Sequence, residues 1–142
     1  MRWWRLSPCV ALCAGMLAPV ADAATFSANP DNYRTLLDTL RPGDTLVLTP
    51  GVYERGLGIF DLDGTPVAPI VITGPASGPR AVLRARSCCN TISIRNSSYI
   101  EVRNLDLDGM NLPVDAVKLE SDAIDAHHIT IEGLVIMNHG VD

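Results

Sequence analysis

Lysine is almost missing from this chain: Lys118 is the only one in 142 residues. There is no Gly-x-Ser-x-Gly, no His-Glu-x-x-His and no phosphate-binding loop. Those absences remove the nucleophile-elbow hydrolases, the helical zinc peptidases and the P-loop enzymes. No helical period appears after Arg41, and no linker or low-complexity tract divides the chain. Past residue 23 only Cys88 and Cys89 remain, adjacent and without the spaced C-x-x-C of a metal site. Adjacent cysteines reach disulfide geometry only by distorting the backbone. The pair is therefore read as two small turn residues in preference to a vicinal disulfide.

The first 23 residues have a separate use. Arg2 and Arg5 precede an apolar run from Cys9 to Ala21, and Ala21-Asp22-Ala23 fits a small-x-small cleavage site. This is the pattern of a secretory signal peptide, too short in its apolar part to span a bilayer. Cys13 follows Leu12 instead of a small residue, which argues against a lipid anchor. The mature chain, 24–142, is expected to be one soluble domain, secreted or periplasmic, with no stable membrane anchor. It keeps nine basic and fifteen acidic residues, net −6. A nucleic-acid partner is excluded on that balance, because counterion displacement needs a basic face. An anionic polysaccharide is not, since a local basic patch can sit on an acidic protein.

What is present is a repeat. Tyr99–Gly109 returns as His128–Asn138 at an offset of 29 residues: Ile100 falls on Ile129, Val102 on Ile131, Leu105 on Leu134 and Leu107 on Ile136. Thr91–Ile94 returns as Ala116–Leu119 at an offset of 25. Each unit reads as a short alternating strand, a turn, a second strand, a one-residue break at Asn104 or Gly133, and a third strand. Alternation makes one face of each strand apolar. Several strands per repeat of this length mark a solenoid. The connections are too short for helical crossovers, so each strand must pair with its equivalent one turn later. That is a parallel β-helix, all-β. A sandwich does not explain fixed offsets.

Before the repeat, Asn29-Pro30 predicts a helix start, with Asn29 as N-cap and Pro30 at the first helical position. Tyr33, Leu36, Leu37 and Leu40 form its apolar stripe, and Pro42-Gly43 stops it. Such a helix covers the open end of a solenoid core. Thr45–Leu48 reads as the first strand, followed by a looser region around Gly56, Gly58 and Gly64. Ile70–Thr73 and Ala81–Ala85 read as further strands. Nothing after Asn138 caps the last coil. The chain is thus expected to be the first coils of a longer protein, or to need a partner at that end.

Few residues offer chemistry. Stacking puts Arg103 on Glu132 and Arg95 on Glu120, on rungs about 4.8 Å apart. Such cross-strand pairs contribute about 0.2–1 kcal/mol each, which gives both arginines a structural role. Lys118 stacks on Ser93 and points outward with no assigned partner. Asp61-Leu-Asp-Gly64 and Asp106-Leu-Asp-Gly109 put paired carboxylates on one strand face, and Asp106 and Asp108 are candidate calcium ligands. The full calcium loop is missing, and Asp-Gly is also an ordinary turn. The sequence requires no cofactor. Asp122, Asp125, His127, His128 and His139 form the histidine–carboxylate neighbourhood, but His127 and His128 should face opposite sides of a strand. Asn96-Ser-Ser98 fits both a glycosylation acceptor and a turn.

The order of signal, helix, Arg41-Pro-Gly-Asp-Thr-Leu-Val-Leu48, Pro50-Gly-Val-Tyr53, Gly64-Thr65, Ala68-Pro-Ile-Val-Ile72 and the I-x-V-x-N-L-x-L repeat resembles the start of bacterial right-handed parallel β-helix proteins. These have the pectate-lyase-like superfold, and the chain is most similar to the alginate and chondroitin lyase type. The resemblance covers Ala24 to the end. It implies a right-handed coil, in line with the general crossover preference. It further implies a carbohydrate-active protein, in which a Lys/Arg pair removes the proton beside a uronate carboxylate and Ca²⁺ often neutralises that carboxylate. The family carries those groups on central coils beyond this stretch, so no catalytic or substrate-binding residue is assigned here. This portion is expected to be inactive alone. The rival reading is a non-catalytic surface or carbohydrate-binding solenoid used for adhesion.

Overall fold

In a computed structural model of the chain, residues 22–120 and 125–140 are described. Residues 1–21, which hold most of the expected signal peptide, lie outside them together with Asp122 and Asp142. Three parallel sheets are wound by one path. Coil one is β2 (Thr45–Leu48), β3 (Gly51–Tyr53) and β4 (Leu57–Phe60); coil two is β5 (Ile70–Thr73), β6 (Ala81–Arg84) and β7 (Ile92–Arg95). Coil three is β8 (Ser98–Arg103), β9 (Leu105–Leu112) and β10 (Val117–Glu120), and the last is β11 (His127–Glu132) with β12 (Val135–His139). The sheets order as β1-β2-β5-β8-β11, β3-β6-β9-β12 and β4-β7-β10, where β1 is Thr25–Ala28. This is a right-handed parallel β-helix.

Register follows the repeat. Ile129 pairs with Ile100, Ile131 with Val102, Ile136 with Leu107 and Val117 with Ile92. The inward residues stack into ladders such as Phe26–Leu46–Ile72–Val102 and Tyr53–Leu83–Leu107. Leu46, Ile72, Val102, Leu83 and Leu107 are fully buried. The break between β8 and β9 is left-handed at Asn104 (φ 54°), and its counterpart Gly133 has φ 63°. Glycine is needed at 133, because a Cβ there would sit 2.7 Å from Asn104 Oδ1.

The helix is shorter than the apolar stripe implied: α1 is Tyr33–Leu37 with Asn32 as N-cap. Asn29 Oδ1 accepts the N–H groups of Asp31 (2.9 Å) and Asn32 (3.1 Å), so Asn29 closes a turn ahead of the helix instead of capping it. At the other end Leu40 N–H donates to Leu37 O at 3.3 Å, and the chain leaves with Leu40 buried but non-helical. The helix still covers the first coil. The Tyr33 ring meets Tyr53 edge-on at 5.0 Å, and the Tyr33 hydroxyl donates to Gly56 O at 2.8 Å. Burial pushes both phenols above the tyrosine value of 10.0. The neutral forms favour the fold, so this contribution is complete below pH 10.0 and is lost as pH rises through the folded values. A denaturation midpoint that falls on going above pH 10, and falls less in Tyr53→Phe, is the expected result.

Three strands escape the sequence reading. β1 precedes Thr45–Leu48 and adds to the first sheet, β3 follows the turn at Pro50-Gly51 with Tyr53 buried, and the glycine-rich region contains β4, with Leu57 and Ile59 buried. Asp44 fastens β1. Its buried carboxylate accepts Ala24 N–H at 2.9 Å on one oxygen and Arg41 N–H at 2.8 Å on the other. Asp44→Ala leaves both donors unpaired, and a loss of about 1–3 kcal/mol is expected in a denaturant titration.

At the far end, the inward positions with no rung after them are open: Leu119 of β10, Ile131 of β11 and Ile136 of β12 are 50%, 41% and 53% exposed. No helix of the described residues is long and apolar enough to cross a membrane.

Candidate functional site

Alternation fixes what the outer face of β4-β7-β10 presents. Inward Leu57 and Ile59, Ile92 and Ile94 hold the sheet, so Gly58 and Phe60, Ser93 and Arg95, and Lys118 and Glu120 point out. Register makes two ladders of them, Gly58–Ser93–Lys118 and Phe60–Arg95–Glu120. Small Gly58 and Ser93 leave a trough of about 510 Å³, walled by Phe60, Asn90, Lys118, Glu120 and the turn at Cys88–Cys89. Phe60 is 41% exposed, with the Arg95 guanidinium 4.8 Å from its ring centre. That contact belongs to the cation–π class. Asn90 Oδ1 accepts Asp115 N–H at 3.1 Å, and its Nδ2 approaches Glu120 at 3.5 Å. The face offers cations, amide donors and one aromatic surface along the stacking direction, which suits an extended polar ligand carrying negative charge.

Three sequence expectations need correction here. Lys118 has a partner, Asp115 Oδ2 at 4.0 Å, brought near by the turn after Pro113. Cys88 and Cys89 are joined as a vicinal disulfide. They lie in a turn outside the named strands, closed by Cys89 N–H to Arg86 O (3.0 Å). His127 and His128 do not face opposite sides: His128 is left-handed (φ 54°), and the two Nδ1 atoms lie 2.7 Å apart. Tyr99 has the same conformation (φ 52°) one coil earlier, and its ring stacks on His128 at 4.4 Å. The repeat thus extends to a shared bend that turns both rings out. Pro66, Pro69 and Glu101 join these rings around a second groove of about 320 Å³.

Apart from Arg95 and Glu120, the other flagged residues are separate from the trough. His139 Nε2 meets Thr91 Oγ1 at 2.8 Å, and Asp125 is exposed just before β11. Asn96 Nδ2 donates to Asp61 Oδ1 at 3.1 Å. Arg103 lies opposite Glu132 as expected, 3.7 Å away, and also pairs with Glu101 of its own strand. Arg95 is in register with Glu120. Asp106 and Asp108 share the outer face of β9, which continues past Asp108-Gly109 through left-handed Met110 and Asn111. Asp106 pairs with Arg80 Nε at 2.5 Å. Asp108 accepts Asn138 Nδ2 at 2.9 Å and Met110 N–H at 3.1 Å, and these bonds hold its carboxyl below the usual value. Among the described residues no three His, Cys, Asp or Glu side chains gather as a metal cluster.

No protein-family model matches the chain, and no curated protein matches it in sequence. Solved structures do match in fold. A mannuronic-acid-specific polysaccharide lyase of family 6 from human gut microbiota aligns at a TM-score of 0.61 and 19% identity, over 81% of this chain and 26% of that one. A lacto-N-biosidase of glycoside hydrolase family 136 from Eubacterium ramulus gives 0.58 and 13%, over 80% and 27%. An alginate lyase from Paenibacillus gives 0.52 and 21%, over 82% and 44%. The chain therefore spans less than half the length of these structures. It shares the parallel β-helix fold with these structures, and its coils superpose on a part of each.

Proposed function

We propose that this chain is the exported N-terminal part of a carbohydrate-active β-helix protein, of polysaccharide-lyase type, acting on an acidic polysaccharide. The observation that carries the reading is the trough along β4-β7-β10, lined by Phe60, Lys118, Asn90 and Glu120, with Arg95 stacked over Phe60 on the same outer face. The likeness in fold to lyases supports it by analogy. The groups that would do chemistry belong to later coils, so the chain alone binds glycan without cleaving it. The exposed apolar end of the last coil is covered by a further coil in the whole protein. Export predicts a mature N-terminus at Ala24, read by intact mass.

The test uses alginate and chondroitin as substrates for both the whole native protein and chain 24–142. A lyase leaves an unsaturated sugar end that absorbs in the ultraviolet. Absorbance is expected from the whole protein and none from the shorter chain. New reducing ends without ultraviolet absorbance would replace the lyase reading with hydrolysis. Retention of glycan with no product from either would leave a binding or adhesion solenoid.

Calcium at Asp106 and Asp108 remains part of the proposal. Ca²⁺ takes about six to eight oxygen ligands, and here it must displace Arg80 from one carboxylate and Asn138 from the other. A melting temperature raised by Ca²⁺, and not raised in Asp108→Asn, supports the site. An unchanged melting temperature removes it.

A further inference from the structure

Charge on this molecule is unevenly matched. Arg80, Arg84 and Arg103 each face a carboxylate, on Asp106, Glu54 and the Glu101–Glu132 pair respectively. Arg34, Arg55 and Arg86 face none among the described residues. Yet these three come together. Arg34 is on α1, Arg55 is in the turn from β3 to β4, and Arg86 follows β6. All three line one pocket of about 160 Å³ with Gly58, Phe60 and Asn90, and no Asp or Glu lines it. All three oppose the upward push of burial on the Tyr33 phenol.

Three guanidinium groups gathered without a counter-charge repel one another. The capping helix and two separate turns hold them there. With Arg95 and Lys118 on the adjoining face, five of the nine basic residues in the described part of an acidic chain lie on one side of the solenoid. Arginine forks suit planar or tetrahedral oxyanions, which they grip through paired N–H groups. Asn90 adds an amide at the rim.

We infer that Arg34, Arg55 and Arg86 form an oxyanion subsite, for one sulfate or carboxylate group, at the junction of the capping helix and the first two coils. The pocket shares Phe60, Asn90 and Ser93 with the trough. Resting on the acidic-polysaccharide reading, the anion it takes is a pendant group of the glycan lying in that trough. A free inorganic anion has the same chemistry, and the test separates the two.

The experiment is calorimetric titration of the folded chain with sodium sulfate, with chloride replaced to hold ionic strength constant. Saturable binding at one site per chain is expected. Arg55→Gln combined with Arg86→Gln should weaken it about tenfold or more, and Arg84→Gln should leave it unchanged. No saturable heat, or equal affinity in the double variant, overturns the subsite. Labelling the unaltered chain with phenylglyoxal avoids any dependence on the variant folding. Sulfate should protect Arg34, Arg55 and Arg86 but not exposed Arg41, and uniform labelling overturns the proposal. A uronic-acid oligosaccharide is then added to the sulfate-loaded protein. Displacement of sulfate assigns the site to the glycan. Sulfate binding that the oligosaccharide does not displace keeps the subsite for free anions and defeats the acidic-polysaccharide reading of this face.

Discussion

Replacing Ile94 by alanine should lower the unfolding free energy by about 2–5 kcal/mol, whereas Ile136→Ala should cost less than about 1 kcal/mol. Both residues point along the same core. Ile94 is fully buried between Ile59 and Leu119 of the neighbouring rungs, while Ile136 is 53% exposed with only Leu107 beneath it. The difference follows from the solenoid, in which each coil contacts only its neighbours and a terminal coil has one neighbour instead of two. Denaturant midpoints at constant slope measure it. Equal losses at the two positions would mean that the last coil is packed as tightly as the middle one. The same gradient should appear in amide exchange, with β12 opening before β7.

Gly74→Ala is the second large effect. A Cβ at this position would lie 2.1 Å from Asn104 O and 3.2 Å from a Leu105 methyl. Both belong to the next rung, so relief requires moving the coil's backbone. Overpacking of this kind costs about 1–3 kcal/mol, and the upper end is expected because a carbonyl cannot swing aside. Gly58→Ala provides the contrast. Its Cβ would press first on the Phe60 ring, at 2.8 Å, and that exposed ring can rotate. A loss at Gly58 as large as that at Gly74 would contradict the account of rung contacts. Thermal melts of the two variants give the comparison.

How far the sequence reveals this molecule depends on how regular each stretch is. The strands from Ile92 to Glu132 are readable because consecutive coils there keep nearly constant lengths, so Ile100 and Ile129 announce their own pairing. β4 is hidden because its coil is longer than those that follow: Leu57 pairs with Ile92 at an offset of 35 residues, while Ile92 pairs with Val117 at an offset of 25. Gly56 just before it, Gly58 within it and its lack of alternating β-branched residues conceal it further. Without β4 the Phe60–Arg95 contact cannot be anticipated, and the trough is missed. The bend at His128 breaks the period-2 rule through a left-handed residue, a conformation that side-chain alternation does not encode. Its one signal is the alignment of Tyr99 with His128 in the repeat. Arg34, Arg55 and Arg86 come from unrepeated segments, so only three-dimensional closure brings them together. The helix was legible as a cap, while its start was not, because Asn29 and Asn32 compete for the same role and hydrogen-bond each other's backbone instead.

The central claim is that the face of β4-β7-β10 holds an acidic glycan. Electrophoresis of folded chain 24–142 through gels containing alginate or neutral dextran tests it most directly, run at low and at raised salt. The account predicts retardation by alginate alone, weakening as salt screens the arginines and Lys118, and largely lost when Phe60 and Lys118 are both replaced by alanine. Free migration through alginate, or equal retardation by dextran, would contradict it.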